Sequence, residues 1–163
     1  MDKALLIKTV KGGGELPVIT EVDLSGNNYQ GADLAGGSFN KVNFSNADLS
    51  DANLKECNFI DCDFTGANLN KANLTLASFI NAIFNRAHMH HAVFSYSNFI
   101  DGQFVEVDMT GSSMLNTSFI NPDMRDARLT RIKAENTNFL NAKLDNADFS
   151  QSEQYRSNFL EPE

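Results

Sequence analysis

The amino-acid sequence predicts an all-β solenoid, a coil with four sides in which each side is a unit of five residues. Three observations carry this. A large residue recurs at every fifth position from Leu24 to Phe149, the residue two places before it is usually small, and every fourth unit places a Phe in one column. Internal repetition of this kind decides architecture before any single element is considered.

Residues 1–21 precede the repeat. Two apolar or β-branched stretches, 4–10 and 16–22, flank Gly12-Gly13-Gly14 and read as a hairpin-like N-terminal cap. A solenoid needs such a cover because its open ends expose both core and unpaired backbone.

Residues 22–151 are the repeat itself. The large series runs Leu24, Tyr29, Leu34, Phe39, Phe44, Leu49, Leu54 and onward through 26 positions to Phe149, of which only Ala134 is small. An α-helix would rotate successive members by about 140° and scatter them around its surface. A flat strand would send them alternately to opposite faces. Only a chain that turns a corner in every unit, and stacks its coils through backbone hydrogen bonds, points the whole set inward.

The number of sides follows from a longer period. Phe39, Phe59, Phe79, Phe99, Phe119, Phe139 and Phe159 form an unbroken column, whereas Leu34, Leu54, Leu74, Phe94, Met114 and Ala134 contain one Phe. Residues i and i+20 therefore lie one above the other, about 4.8 Å apart, and the repeat makes about 6–7 coils in a rod about 31 Å long.

Three departures are read separately. Ile132 and Ala134 exchange small and large positions, which keeps the interior volume. Pro122 lacks the N–H of its position, so it is expected to delete an inter-coil hydrogen bond or mark a bulge. Gln154 places an amide at a large position, and fraying is expected there. Residues 152–163 are then a last coil or a cap, since the register returns at Ser157-Asn158-Phe159-Leu160.

Stretches such as Ala47-Asp48-Leu49-Ser50-Asp51-Ala52-Asn53-Leu54 and Gly66-Ala67-Asn68-Leu69-Asn70-Lys71-Ala72-Asn73-Leu74 resemble the pentapeptide-repeat proteins, whose motif is Ala-Asp/Asn-Leu/Phe-x-x. The resemblance implies a right-handed quadrilateral β-helix. It also implies a possible role, because some members look like duplex DNA in size and charge and bind DNA gyrase or topoisomerase IV, protecting bacteria from quinolone-like inhibitors.

Composition narrows the functions. Thirteen Lys+Arg against 21 Asp+Glu give a net charge of -8, and direct nucleic-acid binding needs a basic footprint that this balance lacks. Nor does any apolar run approach the roughly 20 residues of a membrane span. A cytoplasmic address is expected. DNA mimicry is weighed against the duplex, which carries about 18 charges over about 31 Å.

No catalytic constellation and no cofactor is expected, since Ser, His and Asp occupy outward positions on a convex rod. Cys57 and Cys62 read as small inward residues with inert thiols. His88, His90 and His91 flank the inward Met89 and could hold a metal only by converging, with Asp108 one coil away as a further ligand; an outward polar patch is the simpler reading. Arg128 between Asp108 and Asp148, and the pairs Asp123/Lys143, Arg125/Asp145 and Lys133/Glu153, suggest cross-coil ion pairing.

One feature exceeds this background. Ile60, Ile80, Ile100, Ile120, Leu140 and Leu160 each follow a residue of the Phe column and form an outward aliphatic stripe about 24 Å long. Asp61, Asp101 and Glu161 give it an acidic rim. The expectation is a non-enzymatic scaffold that offers the stripe to a protein partner or to a second copy, unless a terminal segment covers it.

Overall fold

Backbone amides must find acceptors, and around Phe44 the structure shows how those of residues 43–47 do so. In the unit centred on Phe44, Asn43 N donates back to Val22 O (3.0 Å) and Phe44 N donates forward to Asp63 O (2.7 Å). Asn46 N reaches Thr65 O (2.9 Å), and Ala47 N closes the corner on Phe44 O (3.0 Å). The amide left over is Ser45 N, which the Asn43 side chain accepts at 2.9 Å. The same local bond joins Asp48 to Ser50, Asp63 to Thr65, Asn73 to Thr75 and Asp108 to Thr110. Asp or Asn before the large residue therefore completes the backbone's hydrogen bonding.

The corner residue of each unit, two after the large one, sits in the left-handed region. Its φ is +49° to +76° at all such positions among the described residues, and the set contains no β-branched side chain. Branching at Cβ would make that conformation costly.

The computed structural model describes residues 1–12 and 18–159. It is a parallel β-solenoid of about seven turns. One wall is a seven-stranded parallel sheet, ordered β1 (Val18–Thr20), β2 (Ser38–Asn40), β3 (Asn58–Ile60), β4 (Ser78–Ile80), β5 (Asn98–Ile100), β7 (Ser118–Ile120) and β9 (Asn138–Leu140). The wall before it carries a shorter sheet of β6 (Ser113–Leu115), β8 (Lys133–Glu135) and β10 (Glu153–Tyr155). The other walls pair through single bridges such as His88↔Asp108. Every pairing is parallel and offset by 20 residues, with Phe59 beside Phe79 and Ile80 beside Ile100.

The interior is filled by stacked rings. Successive members of the Phe39 to Phe159 column lie 4.7–5.1 Å apart and nearly parallel. Phe44, Phe64, Phe84 and Phe104 make a second stack on the next wall, edge-on to the first. Ile132 and Ala134 are both buried, as their exchange of sizes requires.

The structure corrects three expectations. Residues 4–10 are not an arm of a hairpin, because the chain forms helix α1 (Lys3–Lys11). Asp2 caps it by accepting from Leu5 N, Lys8 and Lys11 sit at its negative end, and Leu6 and Val10, four apart, bury one helical face. Residues 13–17, which include part of the second stretch, lie outside the described residues. The helix closes the first coil through Tyr29 Oη to Met1 O (2.8 Å), Lys3 Nζ to Gln30 O (2.8 Å) and Lys11 Nζ to Ala35 O (3.2 Å).

Pro122 removes no hydrogen bond and makes no bulge. At that corner the amides of Val42, Cys62, Ala82, Gly102 and Ala142 donate to no backbone carbonyl, so the missing N–H is missing where none is used. Its carbonyl still accepts from Lys143 N at 2.9 Å. Nor does the coil fray at Gln154, which pairs in register with Ala134. Its amide lies exposed at the end of the rod and bonds Ser152 Oγ at 3.0 Å, so no burial penalty arises. The register continues to Asn158, and Phe159 stacks on Phe139. At that end Leu144, Ala147 and Phe149 are only half buried and line an open apolar cavity with Gln154 and Phe159. No helix among the described residues is long and apolar enough to cross a membrane.

Candidate functional site

The wall of β1 to β5, β7 and β9 differs chemically from the other three. In each strand the middle residue is buried and its neighbours face out. From β2 to β9 the outward pairs are Ser38/Asn40, Asn58/Ile60, Ser78/Ile80, Asn98/Ile100, Ser118/Ile120 and Asn138/Leu140. None is charged. The other walls present Asp63, Asp123, Arg125 and Lys143, or Asp48, Asp108, Arg128 and Asp148, or Asp33, Lys55, Lys133 and Glu135, at the equivalent places.

The aliphatic column runs where the sequence places it. Ile60 is exposed, Ile80, Ile100, Ile120 and Leu140 are half buried, and Leu160 lies outside the described residues. Along one side of the column stands a ladder of amides and acids at the left-handed corners. Asn81 Nδ2 donates to Asp61 Oδ1 (2.9 Å), Asn121 Nδ2 to Asp101 Oδ1 (2.8 Å) and Asn141 Nδ2 to Asn121 Oδ1 (2.9 Å). Asp61 and Asp101 are thus each engaged by the next coil.

On the opposite side the structure reveals two residues that the sequence reading passed over. Leu76 and Tyr96, at successive corners, are 51% and 54% exposed. They are the only apolar side chains at left-handed corners among the described residues. Elsewhere the same corner carries Gly36, Glu56, Asn116, Asn136 and Arg156. Sorting the residues two after each large position would have found them.

The three histidines do not meet at one point: the His88 and His90 rings lie edge-to-face with centroids 6.2 Å apart, and His91 points elsewhere. His90 Nε2 lies 3.0 Å from Asp108 Oδ2, an ion-pair distance when the ring is protonated, although its N–H is poorly aligned for a hydrogen bond. His91 instead lies over Gly111, whose missing Cβ leaves the room. Among the described residues no group of three or more His, Cys, Asp or Glu is placed to hold a metal ion.

Burial raises the pKa of Asp108, but hydrogen bonds from the Thr110 hydroxyl (2.6 Å) and amide (3.0 Å), with His90, outweigh it and hold the carboxyl below its ordinary value.

Of the expected cross-coil ion pairs, Arg128 reaches Asp108 at 3.6 Å. Arg125 does not turn to Asp145; it grips Asp123 on its own wall through Nε and Nη2, both at 2.8 Å. The Asp123 carboxylate already faces the Arg125 amide, so the fork closes on it with little added ordering. Both cysteines are buried, and burial pushes the Cys57 thiol up to about 12 and that of Cys62 to about 11. Neither should react with a thiol reagent at pH 8 until the chain is unfolded, which titration with and without denaturant measures.

Family models agree with this geometry. The pentapeptide repeat region model matches residues 32–109, and the model of eight pentapeptide repeats matches residues 112–151. The chain belongs to the pentapeptide-repeat family. No curated protein matches it significantly. Among solved pentapeptide-repeat structures, it is similar to trypsin-treated QnrB1, a plasmid-mediated fluoroquinolone resistance protein, at 20% identity over 86% of this chain and 71% of that one, with a TM-score of 0.46. A pentapeptide repeat protein of the Arabidopsis thaliana thylakoid lumen matches at 25% identity over 66% and 68%, with a TM-score of 0.42. HetL, involved in heterocyst differentiation regulation in the cyanobacterium Nostoc, matches at 17% identity over 96% and 94%, with a TM-score of 0.37.

Proposed function

We propose that this pentapeptide-repeat protein is a non-enzymatic interaction scaffold whose contact surface is the uncharged wall with its Ile/Leu column. The supporting observation is the contrast between walls: one face keeps every outward strand position from Ser38 to Leu140 free of charge on a chain of net charge -8. A contiguous aliphatic stripe beside polar amides and acids has the makeup of a contact surface with a polar rim. Ile60, Ile80, Ile100, Ile120 and Leu140 supply apolar area, and Asp61 and Asp101 stand at the rim.

The test is recovery of partners from host lysate on immobilised protein, comparing the parent with an Ile80→Asp/Ile100→Asp variant. Loss of proteins that the parent retains is expected. An identical retained set would exclude the wall as the contact surface.

DNA mimicry toward gyrase or topoisomerase IV has less behind it. Asp108 and Asp123 are paired with cations, and Asp61 and Asp101 accept amide hydrogen bonds, so these carboxylates do not form a free, evenly spaced acidic array.

A further inference from the structure

Leu76 and Tyr96 carry two costs at once. A bulky residue at φ +61° or +59° holds an unfavourable backbone conformation, and about half of each apolar side chain is in water. Asn occupies the same corner one and two coils later, at Asn116 and Asn136, where it adopts φ +49° and +50°. Asn tolerates that region far better.

Their position is also particular. Six outward pairs span the wall from β2 to β9, and the midpoint lies between β4 and β5. Leu76 and Tyr96 stand two residues before those two strands, at the corner that bounds the wall on the side away from Ile80 and Ile100, halfway along its length. An exposed aromatic side chain such as Tyr96 is the residue type in which binding energy concentrates.

We infer that the occupant of this wall is a second copy of the chain, packed face to face, with Leu76 and Tyr96 as anchors along one edge, halfway up the rod. The inference rests on the wall being a contact surface. Self-complementarity selects the partner: in a twofold dimer a surface meets its own image, and of the four walls only this one has uncharged outward strand positions, so two chains of net charge -8 can meet there with Asp61 and Asp101 confined to the rim, each held by an amide of the next coil. Six strands at about 4.8 Å and five residues at about 3.3 Å give a face of roughly 29 by 16 Å. The two copies together would bury about 900 Å², at the low end for specific complexes, which fits reversible association rather than an obligate dimer.

Sedimentation equilibrium from about 1 to 200 µM, a range bracketing micromolar affinity, tests this on the full chain. The parent should pass from monomer to dimer. Leu76→Asn with Tyr96→Asn should weaken the dimer at least tenfold, and Ile80→Asp with Ile100→Asp should abolish it. In dilute solution the Asn variant should unfold at a temperature equal to or higher than the parent's, by up to roughly 2–4 °C, because the corner strain is relieved.

A fall in that temperature would make Leu76 and Tyr96 structural and overturn their role as anchors. A parent that stays monomeric throughout would overturn the second copy, while partner loss from lysate would still support the wall as a surface for another protein. Dimers that persist in both variants would overturn this wall as the self-association face.

Discussion

Replacing Phe79 by Ala should destabilise the protein by about 3–5 kcal/mol, toward the upper end of that range. Phe79 is 1% exposed and stacked between Phe59 and Phe99, each 4.7 Å away, with Phe84 edge-on at 5.3 Å. The cost of such a truncation depends on whether the surroundings can collapse into the void. Here they cannot, because the spacing of Phe59 and Phe99 is held by the backbone ladder of β3, β4 and β5. Urea unfolding should show the loss, and Phe159→Ala, at the half-exposed end with one stacking partner, should cost much less. A loss below about 1 kcal/mol at Phe79 would mean that the ring column does not support the fold.

Ala72→Leu is the complementary case, and a cost of about 1–3 kcal/mol is expected. Ala72 is fully buried and lies between Ala52 and Ala92 of the neighbouring coils, both also buried. Three added carbons would have to displace backbone that is hydrogen-bonded on both sides: Ala72 O accepts from Val93 N and Ala52 O from Asn73 N. The same change at Ala147, beside the open end, has room to rotate outward and should be nearly neutral. Thermal unfolding of both variants separates the two outcomes; equal shifts would show that small residues are not required inside the rod.

Much of this architecture was legible because a five-residue period leaves few geometries that bury all its large members. Phe59 over Phe79 and Ile80 beside Ile100 followed from counting by twenty. Helix α1 was harder to see, since Leu6, Val10 and the β-branched Thr9 suit a strand as well as a helix; the signals were Asp2 at its start, lysines at its end and the four-residue spacing of Leu6 and Val10. The penalties expected at Pro122 and Gln154 assume a used amide and a buried site. Neither condition holds, and only the hydrogen-bond pattern and the exposure of the last coil show it. Leu76 and Tyr96 escaped notice for another reason: their neighbours in the chain are ordinary, and their oddity lies in backbone conformation.

Each coil advances by 20 residues and repeats the same corner chemistry. Copying any such segment within the gene would therefore lengthen the rod by about 4.8 Å while leaving every existing contact in phase. A shift of one or two codons would instead throw all downstream rings out of line. Size in this protein is thus a digital quantity, open to evolution in whole turns and closed to smaller steps.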